Sequence, residues 1–249
     1  MLNHPTLVKL AALKLTGMVK ALREQNETPQ SGSLSFEERL GLMADREMSE
    51  RESRKLGIRM RHAKLREQAC FEDIDYQQAR GLDRGQILSL ASCQWIKDRQ
   101  NLLIAGPTGA GKTYLACALA HKACMEGYTV RYFRLPRLLG ELETAKGDGR
   151  YGRLMKAFAK IDVIALDDLG LVPVTATNRR DLLELVEDRH GTRSTIIASQ
   201  LPVNKWHNAI GDPTIADAIL DRLVHNAHKI VLKGDSMRKA GSKLTKSAG

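Results

Sequence analysis

The residues with most chemistry in them stand together at Gly106-Pro107-Thr108-Gly109-Ala110-Gly111-Lys112-Thr113. Glycines let backbone N–H groups turn toward an anion without a side chain in the way. The spacing GxxxxGK[ST] is that of a phosphate-binding loop. In that pattern Lys112 reaches the outer phosphates of a nucleoside triphosphate, and the Thr113 hydroxyl is a hard oxygen ligand for Mg²⁺. Tyr114 opens the Ala/Leu-rich helix-forming run behind the loop, whose positive N-terminal end faces the same anion. A second cluster follows about fifty residues downstream, where Val163-Ile164-Ala165-Leu166 ends in Asp167-Asp168. An acid leaving an apolar strand there faces the metal shell. Asp167 is the candidate Mg²⁺ ligand, directly or through water, and Asp168 the candidate to polarise an attacking water. Gln200 leaves the run Ser194–Ser199 and orients water if that strand neighbours the loop strand.

These groups need elements to hold them. Asn101–Ala105 is an apolar run of strand length, and from there the pattern alternates strand and helix. Strands are expected at 129–133, 161–168, 194–199 and 229–232. Helices are expected at 136–146, 151–160, 178–189 and 213–225. Alternation of this kind means a parallel sheet wound by right-handed crossovers, an α/β fold. Residues 1–69 read as helices, an N-terminal oligomerisation or partner domain. Leu7, Leu10, Leu15, Met18 and Leu22 recur at helical spacing until Thr28–Ser33 breaks the pattern. Ser35 with Glu38 has the form of a capping box opening the next helix. Residues 70–233 form the ATPase domain. Within it, 70–99 is a connector, extended at Phe71–Asp75 and helical from Gln86 to Lys97, which either flanks the nucleotide base or only joins the parts. Residues 234–249 read as a basic disordered tail.

Composition narrows the partners. Thirty-nine basic residues against 29 acidic give a net charge of +10, which suits a polyanion. Aromatics at 4% leave little for a base-stacking platform, so phosphate-backbone contact is the mode expected. Arg51–Arg66 holds seven Lys/Arg and one Glu, either a solvated helix face or a contacting one. Lys146, Arg150, Arg179 and Arg180 are further candidates for contact with DNA. No apolar run approaches the length of a membrane span, and Lys9, Lys14 and Lys20 interrupt any signal-like core. Cys70, Cys93, Cys117 and Cys124 lack CxxC spacing and read as free thiols of a reducing cytoplasm. His225 and His228 have no companions that would complete a metal set, and no GxSxG nucleophile elbow occurs.

GPTGAGKT, VIALDDLG, STIIASQLP and ADAILDRL together resemble the AAA+ ATPases of the replication-initiator and helicase-loader group. The chain is most similar to the IstB family of transposase helper ATPases, with the DnaC helicase loaders as relatives. HPTLVKLAALKLTGMVKAL and the stretch Lys229–Met237 share that likeness. The resemblance implies an AAA+ αβα sandwich behind a small helical domain, without a C-terminal lid. It implies ATP-driven assembly of a homo-oligomer on duplex DNA, largely without sequence preference, and recruitment or activation of a cognate transposase. It implies that Arg222, in Asp221-Arg222-Leu223, is an arginine finger reaching the ATP of a neighbouring subunit. No acidic residue stands three or four positions from Arg222 to pair with it locally. Asp168 stands where many AAA+ proteins have Glu, and Gln200 where Asn or Thr is commoner, so the site suits a slow switch. A helicase loader is the alternative within the same class. A small-molecule P-loop kinase is the alternative outside it. If the loop is the phosphate site, Lys112→Ala weakens ATP binding by at least about tenfold in a fluorescent-nucleotide titration.

Overall fold

The computed structural model describes residues 4–29, 33–76, 80–234 and 237. The expected tail therefore lies almost wholly outside the described residues, as do 30–32 of the expected helix break. The chain divides into two compact units, Met1–Ile58 and Arg59–Gly249.

In the first unit α1 (Pro5–Ala12) and α2 (Thr16–Glu27) replace the single helix expected there. Lys14 takes a left-handed φ of 59°, and Leu15 N–H closes back on the Leu10 carbonyl at 3.0 Å. A turn of this kind ends a helix even without glycine. α3 (Phe36–Ala63) begins at the expected capping box. Ser35 N–H donates to Glu38 Oε2 at 2.8 Å, and Glu38 N–H to Ser35 Oγ at 3.2 Å. Glu47 of α3 accepts the otherwise unpaired N–H groups of Gly17 and Met18, at 2.6 and 3.3 Å, and so caps α2 from a neighbouring helix.

In the second unit α4 (Arg84–Ala91) and α5 (Gln94–Lys97) split the helix expected over 86–97. Cys93 is left-handed between them, which buries Trp95 with its indole N–H on the Leu90 carbonyl at 3.1 Å. Burial of the large ring outweighs continuity of the helix. Phe71–Asp75 forms a turn rather than an extended segment, closed from Ile74 N–H to the Phe71 carbonyl.

The expected alternation then follows. It runs β1 (Asn101–Ala105), α6 (Lys112–Met125), β2 (Val130–Arg134), α7 (Leu135–Gly147), α8 (Tyr151–Lys160), β3 (Val163–Leu169), α9 (Ala176–Arg189) and β4 (Ser194–Ser199). A 3₁₀ turn at Val203–Lys205 and the short α10 (Trp206–Ile210), neither of them anticipated, precede α11 (Pro213–Val224) and β5 (Ala227–Val231). All pairings are parallel, in the order β2-β3-β4-β1-β5. α6 covers one face of the sheet, and α7, α9 and α11 pack on the other around Leu103, Leu142, Ile164, Leu182 and Ile219.

Two buried polar residues lock the edge of the sheet away from the loop. Asn101 donates to the carbonyls of Arg222 and Leu223 and accepts from Thr195 N–H, fixing the end of α11 to β1 and β4. Arg189 is 2% exposed and donates to the carbonyls of Phe158, Ile161, Asp162 and Ser194. It joins α8, β3 and β4 through buried and half-buried carbonyls. Arg189→Met keeps most of the volume but strands those carbonyls, so it is expected to cost on the order of 3–5 kcal/mol, read as a lower urea midpoint.

Candidate nucleotide site

The loop lies where β1 hands over to α6, at the carboxyl end of the sheet. Gly106, Gly109 and Gly111 all have positive φ, and at two of them a side chain would also collide with a neighbour. A Cβ on Gly106 would meet the Leu232 carbonyl oxygen at 2.6 Å. Gly111 has φ +93°, and a Cβ there would meet Arg80 Nη1 at 2.8 Å. Gly111 is the N-cap of α6 and has no side-chain cap, so the first N–H groups of that helix are available to an anion. Lys112 is buried to 8% exposure and its Nζ donates to the Pro107 carbonyl at 2.8 Å. Thr108 at the loop tip donates to Gln200 Oε1 at 2.8 Å. β4 does neighbour β1, and Gly106 N–H bonds the Ser199 carbonyl, so Gln200 stands beside the loop.

Asp167 is the fixed acid of the site. It is 2% exposed, and its Oδ2 accepts from Thr113 Oγ1 and from the Tyr132 hydroxyl, each at 2.7 Å. Its Oδ1 accepts Asp168 N–H at 2.9 Å. Burial and the Asp167 hydrogen bond push the Tyr132 phenol well above its usual range, so it stays a donor at neutral pH. Asp168 has a left-handed φ of 68°, at an irregularity in the β3–β4 register between Leu166 and Leu169. The distortion turns its carboxylate to Arg134 Nε, at 2.7 Å. Arg66 Nη1 lies 4.0 Å from both carboxylates. Asp168 is thus held by cations in this conformation.

Tyr132, Arg134 and Arg66 escaped the sequence reading. Tyr132 and Arg134 are alternate residues of one strand and share a face, but only the register Arg134↔Asp167 reveals what that face meets. Arg66 was visible only as one charge in a basic run.

A cavity of about 400 Å³ opens beside the loop, lined by Glu67, Asp73, Asp75, Arg80, Lys112 and Tyr114 among others. Residues of the expected connector therefore lie at the nucleotide loop. Arg222 stands elsewhere. Its carbonyl is held by Asn101 at the opposite end of β1 from the loop, five residues away along the strand. At about 3.3 Å per residue that distance exceeds the reach of its side chain. Sequence spacing offered it no acid, but α9 supplies one: Arg222 Nε pairs with Glu187 Oε2 at 2.5 Å, and Nη1 donates to the Ala218 carbonyl.

The four basic candidates separate in the structure. Lys146 pairs with the buried Asp181 and lies over the Tyr151 ring at 4.9 Å. Arg179 donates to the Val174 and Ile210 carbonyls. Arg150 is exposed and paired with Asp148, and Arg180 is exposed. All four cysteines are free, and burial pushes the Cys93 and Cys124 thiols up to about 11. Among the described residues no helix is long and apolar enough to cross a membrane.

A family profile described as IstB-like ATP binding protein matches residues 8–245. The chain belongs to that family. It is 54% identical to a putative insertion sequence ATP-binding protein of Sinorhizobium fredii, over 96% of this chain and 98% of the relative. It is 51% identical to the putative ATP-binding protein of insertion sequence IS1162 of Pseudomonas fluorescens, over 81% and 88%. Among solved structures, DnaI is similar with a TM-score of 0.56 at 21% identity, over 66% of this chain and 91% of that one. The DnaC helicase loader follows with 0.55 at 17%, over 66% and 97%. The fold is that of this AAA+ group, as the motifs implied.

The site chemistry fits Mg²⁺–ATP. Thr113 and the buried Asp167 set two hard oxygens side by side, as a Mg²⁺ that takes its remaining ligands from phosphates and water requires. Tyr132→Phe removes one hydrogen bond to a buried carboxylate. It is expected to cost about 1.5–3 kcal/mol, measured by denaturant titration, and to weaken Mg²⁺-dependent nucleotide binding.

Proposed function

We propose that the protein is an ATP-dependent DNA-binding helper of transposition, an ATPase that assembles on duplex DNA and recruits or activates a transposase. The observation that supports this reading is the separation of the phosphate loop from Arg222, the residue that the family resemblance makes an arginine finger. The loop, Asp167 and Gln200 stand together. Arg222 stands beyond their reach, at the opposite end of β1. A guanidinium placed so can meet phosphate only across a subunit boundary, so completing the site and joining subunits become one event. The insertion-sequence relatives supply the setting.

In this reading the loop N–H groups and Lys112 hold the phosphates, and Thr113 with Asp167 would hold a Mg²⁺, which would supply charge neutralisation at the phosphates. Glu67, Asp73 and Asp75 offer acceptors to the nucleoside. Gln200 orients water, and Asp168 takes its proton once Arg134 lets go. Arg222 must likewise exchange Glu187 for phosphate. Two such exchanges suit an assembly switch with slow turnover. Of the basic candidates, Arg180 and Arg150 carry DNA contact: both are exposed, and the Asp148 that pairs with Arg150 is itself at the surface, whereas Lys146 is held by the buried Asp181 and Arg179 by two backbone carbonyls.

Light scattering with and without ATP and duplex DNA checks the reading. Wild type is expected to form large particles only with both ligands, and Lys112→Ala and Arg222→Ala to remain small. A wild type that stays monomeric in every condition would overturn it in favour of a small-molecule P-loop enzyme.

A further inference from the structure

A second, cationic cleft adjoins the nucleotide site on the far side of Asp167 and Asp168, which Arg66 and Arg134 of its lining face. A cleft of about 450 Å³ is lined by Lys64, Arg66, Arg131, Arg134 and Arg137 around Tyr132 and Phe133, with Glu141 its one carboxylate. Three separate segments converge on it. Lys64 and Arg66 follow the end of α3, Arg131 and Arg134 belong to β2, and Arg137 lies in the first turn of α7.

Several features make this more than a solvated patch. β2 is an edge strand, with β3 as its one neighbour in the sheet among the described residues. Arg131 is fixed in place, with Nη1 on the His62 carbonyl at 2.8 Å and its guanidinium over the Phe133 ring at 5.4 Å. Arg134 Nε donates to Asp168 at 2.7 Å. The side chains of Lys64 and Arg137 are exposed and have no hydrogen bond or ion pair among the described residues. α7 has thirteen residues, no side-chain cap and no acid in its first turn, so its N-terminal N–H groups add positive potential uncompensated by its own sequence.

We infer that this cleft binds the phosphates of a nucleic-acid backbone. Arginine dominates it, and a planar guanidinium fork matches phosphate oxygens in a way that an ammonium does not. Cations from a strand, a helix turn and a chain segment set side by side can follow successive phosphates without reading bases. This inference rests on the DNA-binding reading above and names a surface for it distinct from Arg150 and Arg180.

The test leaves Arg66 and Arg134 untouched, because they face Asp167 and Asp168. Lys64→Asn and Arg137→Ala are combined; asparagine tolerates the left-handed backbone at position 64 (φ 49°). A control pair, Lys97→Gln with Lys205→Gln, removes the same charge from exposed lysines elsewhere. Binding of a fluorescein-labelled duplex of mixed sequence is followed by anisotropy over a series of KCl concentrations, and ATP binding is measured in parallel to show an intact nucleotide site. The cleft pair is expected to weaken DNA binding by about tenfold and to reduce the salt slope by about two, with the control pair near wild type. Equal affinity and slope in both pairs would overturn the inference, leaving these charges as protection of an open sheet edge. Displacement of the duplex by poly-glutamate at equal charge would assign the cleft to an acidic protein segment instead. A wild type that binds no duplex removes the DNA reading itself, and this site with it.

Discussion

The hydrogen bond from Thr113 to Asp167 is the point on which the structure turns. It ties the first turn of α6 to the end of β3, two elements separated by 54 positions in the chain. Each half of the phosphate chemistry is useless alone. A glycine loop binds anions weakly without a cation, and a buried carboxylate is costly without donors or metal. The parallel sheet brings them together, since every strand ends on the same side and β3 lies one strand from β1 across β4. Tyr132 adds a third element, and with Asp168 N–H it leaves the Asp167 carboxylate no freedom to turn away.

Charges around this fixed point are paired in ways that resist chemistry until something changes. Asp168 faces Arg134 and Arg66, and Arg222 faces Glu187. Ion pairs at partly exposed positions are worth little and exchange readily. Partners of that strength suit a switch better than a fast catalyst, because phosphate or a neighbouring subunit can take over an arginine at small cost. The far end of the sheet is different. There the buried Arg189 is satisfied by backbone carbonyls and cannot be lured away.

What the sequence disclosed follows from locality. The strand–loop–helix form of GPTGAGKT was legible because it lies in contiguous backbone, and the place of Asp167 beside it because an apolar strand ending in acid downstream of such a loop leaves few alternatives. The strands were legible for the same reason, as continuous buried runs. Lys14 and Cys93 broke expected helices because both take left-handed turns without glycine, chosen by tertiary packing rather than by propensity. Arg134, Arg66 and the pairing of Arg222 with Glu187 were invisible because each depends on register or on which helices pack side by side. The four basic residues looked equivalent as charges, and only burial of Asp181 and the open carbonyls of Val174 and Ile210 showed which were already committed.

The claim at the centre of this account is that Arg222 completes the ATP site of another subunit. Mixing two inactive proteins tests it directly. Lys112→Ala subunits keep Arg222 but lack a working loop, and Arg222→Ala subunits keep the loop but lack the arginine. ATP turnover is measured for each alone and for the mixture, on duplex DNA. The account predicts that mixing restores turnover well above the average of the two, because intact loops then meet intact arginines across the boundary. A mixture that never exceeds that average would place Arg222 outside the ATP chemistry and contradict the shared site.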